Sequence, residues 1–79
     1  MKKYELIDNT KQISGITLFQ IKALIDIPLF GVKAGDLGGW VEKERNLSHT
    51  DNAWVSGDAK VYGYAQVYGY AHVYGNAKL

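Results

Sequence analysis

Valine recurs at every sixth position in the second half of the chain, at Val55, Val61, Val67 and Val73. Alanine follows each valine by four places, at Ala59, Ala65, Ala71 and Ala77, and glycine lies between them at Gly57, Gly63, Gly69 and Gly75. Carried backwards, the same frame yields "HTDNAW", "KERNLS" and "LGGWVE", where position five is still Ala, Leu or Val. Arg45 and Asp51 interrupt the glycine position. A period of six is too short for a helix–turn unit. It suits short extended segments joined by corners, in which alternation sends positions one and five inward and positions two, four and six outward. Glycine at the corner permits positive φ. An Asx residue beside it, as at Asn46, Asn52, Asp58 and Asn76, is ordinary turn chemistry.

The segment ahead of the repeat has a different texture. "KYELI" and "ISGITLFQIKALIDI" are rich in β-formers and flank the turn-prone "DNTKQ". The pattern predicts an antiparallel hairpin with its turn at "DNTKQ" and a long second strand, bulged at Gly15 and ended by Pro28. "LFGVKAGDLGGW" then reads as a loop into the repeats. The hairpin is expected to cap the first repeat and cover its edge. One compact domain results: a hairpin cap and Gly-rich loop over residues 1–36, and hexads over residues 37–79.

The hexads resemble the repeat of left-handed parallel β-helices, where three hexads make one triangular coil. The resemblance implies an all-β fold, an N-terminal β-hairpin capping a short left-handed parallel β-helix. It alone supplies the left hand, because crossovers otherwise prefer the right. Residues eighteen apart would stack. Leu37, Val55 and Val73 are then expected in one inward column, Val41, Ala59 and Ala77 in another, and Gly39, Gly57 and Gly75 at one corner. Trp40 would stack with Asp58, Glu42 with Lys60, and Trp54 with His72. More broadly, "GVKAGDLGGWVEKERNLS" and "DNAWVSGDAKVYG" are similar to a group of small phage and prophage proteins with a K-x-G-D-L-G-G-W opening motif. That resemblance covers roughly residues 16–79 and implies a bacterial-host cytoplasm, but no particular activity. Tyr64 and Tyr70 depart from the pattern by replacing the Asx residue of the corner.

Size changes the picture. A chain of 79 residues buries only about 60% of its unfolded surface. With no cysteine to staple it, oligomerisation is the expected support. The net charge of +1 argues against bulk-charge nucleic-acid binding. No apolar run approaches a membrane span, and "MKKYELIDN" is no signal peptide, so a soluble cytoplasmic protein without membrane contact is expected. Five of the six tyrosines fall between Tyr62 and Tyr74. Tyrosine suits interfaces and ligand sites, because a large ring is buried while its hydroxyl keeps a partner.

The chemistries of the resembling fold make demands that these residues meet only poorly. Hexapeptide-repeat acyltransferases use a histidine at a cleft between subunits, and the histidines here are His49 and His72. No loop insertion builds a substrate wall, so an enzyme is disfavoured. A zinc hydratase needs three histidines, which the chain lacks; no metal or cofactor is expected. "GDLGG" lies between Lys33 and Arg45 and offers backbone N–H groups to a phosphate, although a tight loop accounts for it as well.

The expected function is therefore a non-catalytic homo-oligomer, a trimer by analogy with the fold. Tyr62, Tyr68 and Tyr74 are expected to join subunits. Tyr64, Tyr70, Trp54, His72, Arg45, Lys60 and Lys33 are the candidate ligand-binding residues. Short phage proteins of this kind include "sponges" that sequester nucleotide immune signals, and stacked bases with basic residues at phosphates would serve that role. The alternatives are a structural or protein-interaction module acting on a host protein, and an acyltransferase.

Overall fold

The computed structural model describes residues 2–79. It is mostly β, with an N-terminal hairpin. Strands β1 (Tyr4–Ile13) and β2 (Ile16–Ala23) pair antiparallel and are joined by Ser14 and Gly15. Both turn residues have positive φ, 49° and 81°, the combination a two-residue hairpin of right-handed twist demands. The turn is thus two residues long and lies at Ser14–Gly15. "DNTKQ", expected as the turn, runs within β1 instead. Its turn propensity is expressed as an irregularity: Leu6 pairs with Ile21 and Thr10 with Phe19, so β1 carries extra residues around Ile7–Asn9. Asn9 spans the bulge by donating from Nδ2 to Gln20 Oε1 at 2.8 Å.

After β2 the chain passes through a single 3-10 turn at Pro28–Phe30 and returns as β3 (Leu37–Val41). β3 lies between two neighbours. On one side it pairs antiparallel with β2, and on the other parallel with β5 (Lys60–Val61), giving the order β1-β2-β3-β5. The hairpin therefore covers the edge of the first repeat. β3 holds one extra residue opposite β2, between Leu37 and Trp40. Gly38 and Gly39 occupy this stretch because nothing larger fits: a Cβ at Gly38 would lie 2.6 Å from the Val55 carbonyl oxygen, and one at Gly39 2.5 Å from Val55 Cγ1.

Parallel pairing ties the repeats together at long, regular separations. Trp40 pairs with Lys60, Val41 with Val61 and Leu47 with Val67. β4 (Trp54–Val55) pairs with β6 (His72–Val73), and Lys60 with Lys78. The separation is twenty residues for the first three pairs and eighteen thereafter. Two additional residues are accommodated between Leu47 and Trp54. The uniform eighteen-residue columns consequently hold only for the later rungs. Val55 lies beside Val73, and Gly57 contacts Gly75. Leu37 does not join them; it is exposed. Val41 stands beside Val61 rather than Ala59, and Gly39 is a buried strand residue rather than a corner.

Position five is inward from Val41 to Ala59 and position one from Val55 to Val67, all buried. They meet Tyr4, Ile21, Ala23, Ile27, Val32 and Trp54 in one core. Leu18 and Trp40 lie on the opposite face of the sheet, where the Lys11 ammonium sits 4.6 Å from the Trp40 ring centre and 3.4 Å from Asp58. Among the described residues no helix is long and apolar enough to cross a membrane.

Candidate functional site

Two grooves flank His49. The first, of about 450 Å³, is lined by Ile25, His49, Thr50, Asp51, Asn52, Gly69 and Tyr70. The second, of about 340 Å³, is lined by Glu44, Arg45, Leu47, Ser48, His49, Gln66, Val67 and Tyr68. Both lie along the stretch where the two additional residues enter the repeat.

Their common wall is held in place by contacts from Lys3 and Tyr4, at the start of β1. Lys3 N–H donates to His49 Nδ1 at 3.1 Å, which leaves the imidazole proton on Nε2, facing Glu44 Oε1 at 2.9 Å. The Tyr4 ring stacks on His49, with ring centres 4.1 Å apart. The Tyr4 hydroxyl shares its one proton between the carbonyls of Glu44 and Leu47, at 2.8 and 2.6 Å. Burial and the nearby Glu44 carboxylate push the Tyr4 phenol upward, so it remains a donor. The Glu44 carboxyl is held below its ordinary range by hydrogen bonds from His49 and Lys2.

Lys3 is buried to its tip. Its ammonium donates to the carbonyls of Asp51, at 3.0 Å, and Ala53, and lies 3.5 Å from Asp51 Oδ1. Burial lowers the Lys3 pKa despite the Asp51 charge, which raises it. For Asp51, burial pushes upward, but the N–H groups of Gly69 and Ala53, the Ser48 hydroxyl and the Lys3 charge prevail and hold it low. Asp51 Oδ2 accepts the Gly69 N–H at 2.6 Å. Glu42 does the same for the Gly63 N–H at 2.8 Å, rather than facing Lys60. A carboxylate thus supports each of two tyrosine-bearing corners from the rung before. Asn46, wholly buried, accepts from Lys43 N–H and donates to the carbonyls of Gly63 and Ala65.

Against this frame the candidate residues separate. Tyr64, Tyr70, Tyr68 and Tyr74 are 88%, 77%, 68% and 66% exposed, while Tyr62 is half-buried. Trp54 is in the core, edge-on to Tyr4, and has no ring face to offer a ligand. Trp54, expected as a ligand-binding residue, instead fills the space under the hairpin. Trp54 and His72 do pair, as the eighteen-residue frame expects. His72 stacks on Phe30 at 4.2 Å and its Nε2 lies 2.9 Å from Ser56 Oγ.

Arg45 donates from Nε to the Gly63 carbonyl at 3.2 Å, with its guanidinium 4.8 Å from the Tyr64 ring centre. Lys60 folds back on the Asp58 carbonyl at 2.8 Å. Lys33 belongs to the Gly-rich loop, where Asp36 Oδ2 accepts its backbone N–H at 3.0 Å and the Gly35 N–H is taken by the Ala23 carbonyl. Asp36 and Gly35 there make a turn. Of the candidates, Arg45, Tyr68 and Tyr70 line these two grooves.

Sequence reasoning misses the Lys3–Tyr4–His49–Asp51 network. "KYELI" reads as a β-strand with no sign of what Lys3 and Tyr4 bond to, and only the Asp at a corner position normally held by glycine carries a signal. Among the described residues no set of three or more His, Asp or Glu side chains is placed to hold a metal ion. No protein-family model matches the chain, and no curated protein matches it in sequence.

Proposed function

We propose that this protein is a non-catalytic, homo-oligomeric binding module whose C-terminal tyrosines divide between contacts with other copies of the chain and grooves that hold a small ligand. The observation that carries this reading is the exposure of Tyr64, Tyr68, Tyr70 and Tyr74 over one short stretch. So much aromatic surface is unfavourable in water unless a neighbour covers it. The long-range parallel pairing supports treating residues 37–79 as coils of a left-handed parallel β-helix, a fold that assembles as trimers. The similarity of the opening motif to phage proteins supports a role inside an infected bacterium, where such a module sequesters a nucleotide-derived signal.

A catalytic role fits less well. His49 uses both ring nitrogens to hold the groove wall, and His72 is engaged by Ser56 and Phe30. A general base needs a free nitrogen within reach of substrate. Native mass spectrometry of protein purified gently from infected cells tests the reading. An oligomer carrying nucleotide-sized mass at integral stoichiometry is expected. A ligand-free oligomer from cells that contain such signals favours a module that contacts a host protein, and a monomer overturns the assembly.

A further inference from the structure

We infer that the groove between the Glu44–Asn46 turn and the Gln66–Tyr68 segment is a nucleoside monophosphate site, with the base against Tyr68 and the phosphate on Arg45. The inference deepens the binding-module reading and rests on it. The two grooves differ in charge. The larger, beside Tyr70, is lined by Asp51 and has no Lys or Arg; Lys3 offsets that carboxylate from within the protein, so the groove itself offers a phosphate no cation. The smaller contains Arg45, and its one carboxylate, Glu44, is already offset by Lys2 at 3.3 Å and accepts a hydrogen bond from His49 Nε2 at 2.9 Å.

Arg45 is prepared for a phosphate. Its Nε bond to Gly63 and the Tyr64 ring fix the guanidinium plane, which removes much of the entropic cost of ordering a long side chain. Its terminal nitrogens donate to no protein acceptor among the described residues, leaving a planar fork for two phosphate oxygens. Tyr68 supplies an exposed ring for a base, and ring–base stacking is sequence-tolerant because every base has a π-face. Ser48 and Gln66 add a hydroxyl and an amide to the lining of the same groove for sugar or base-edge contacts. A volume of about 340 Å³ matches a single nucleotide, and one guanidinium matches one phosphate.

The test is an NMR titration of the isotope-labelled full chain with 5′-AMP, with adenosine and inorganic phosphate as partial probes. AMP is expected to shift the Arg45 side-chain N–H, the Tyr68 ring and the Gln66 amide. It should bind about tenfold or more tightly than either partial probe, since each half adds a charge-assisted bond or a stack. Arg45→Lys should weaken AMP to near the adenosine level, and Tyr68→Leu to near the phosphate level, with the remaining spectrum unchanged. Phosphate binding as tightly as AMP overturns the nucleoside assignment, and shifts confined to the Tyr70 groove overturn the site. Sedimentation of the same samples separates the two readings: an oligomer silent to millimolar AMP overturns the nucleotide site alone. A monomer silent to AMP overturns both.

Discussion

The Lys3 ammonium lies 3.5 Å from the Asp51 carboxylate, with none of the lysine side chain exposed to solvent. The pair joins the start of β1 to the corner that carries Tyr70, so the hairpin and the repeat are fastened through one buried charge. Removing one member of such a pair costs more than removing both, because the survivor is left uncompensated. Asp51→Ala is expected to destabilise the protein by about 3 kcal/mol. Lys3→Met keeps the aliphatic stem and is expected to cost only about 1–2 kcal/mol, for the carbonyls left unpaired. Urea denaturation checks both. A double variant less stable than the sum of the singles would contradict the coupling.

The same two residues contribute to the pH dependence, alongside Tyr4 and the similarly lowered Glu44. Asp51 titrates below its ordinary range in the folded protein. Below about pH 4, where an unfolded Asp takes up its proton, the unfolded chain binds more protons, and stability falls with pH until the folded carboxyl is protonated too. Asp51→Asn should flatten this acid limb. Lys3 is also lowered, and here the folded chain gives up its proton first. Stability should therefore rise with pH from the folded Lys3 pKa toward the ordinary lysine value of about 10.4. Tyr4, raised in the fold, opposes this above about pH 10, where the unfolded phenol ionises. The urea midpoint plotted against pH tests each limb, with Lys3→Met removing the alkaline rise and Tyr4→Phe the decline beyond it.

Glycines in this chain serve two separate purposes, and alanine scanning should tell them apart. Gly69 has φ of 71°, and a Cβ added there would meet nothing within 4 Å, so Gly69→Ala meets only the left-handed backbone penalty, about 1–2 kcal/mol. Gly38 would place a Cβ 2.6 Å from the Val55 carbonyl oxygen and 2.8 Å from the Trp54 ring. Gly38→Ala must push β3 away from the next rung, at a cost of about 3 kcal/mol or more. Thermal unfolding of the two variants is the measurement; equal losses would mean that the backbone of β3 yields more easily than its contacts suggest.

The hexads were legible because valine, alanine and glycine at fixed spacing have few other solutions. Val55 beside Val73 and Gly57 beside Gly75 follow from counting. Counting failed between Leu47 and Trp54, since the frame takes "HTDNAW" as an ordinary hexad, whereas this stretch is two residues longer than the Val67–His72 stretch it pairs with. Nothing in its composition marks an insertion. It is also where both grooves open, so the site arises at the departure from the repeat. "DNTKQ" misled for a related reason: its turn propensity is local, whereas Ser14 and Gly15 satisfy both the positive φ and the strand register. Lys3 was unreadable because burial of a lysine depends on acceptors that lie 48 and 50 residues further along the chain.

Exposure makes the remaining tyrosines a discriminating test of assembly. Tyr70 and Tyr74 contribute little to a single folded chain, and surface substitutions of that kind change stability by about 0.5 kcal/mol or less. At an interface a tyrosine that becomes fully covered is worth about 2 kcal/mol or more, some thirtyfold in affinity. A Tyr70→Ser/Tyr74→Ser variant should therefore keep its unfolding midpoint at high dilution, where single chains dominate. At higher concentration the parent should sediment as an oligomer and its melting temperature should climb with concentration, because only the folded chain associates. The variant should sediment as a monomer with a melting temperature that stays constant. If both proteins sediment alike, these rings face water or another partner, and the covering of the tyrosine surface by copies of the same chain is wrong.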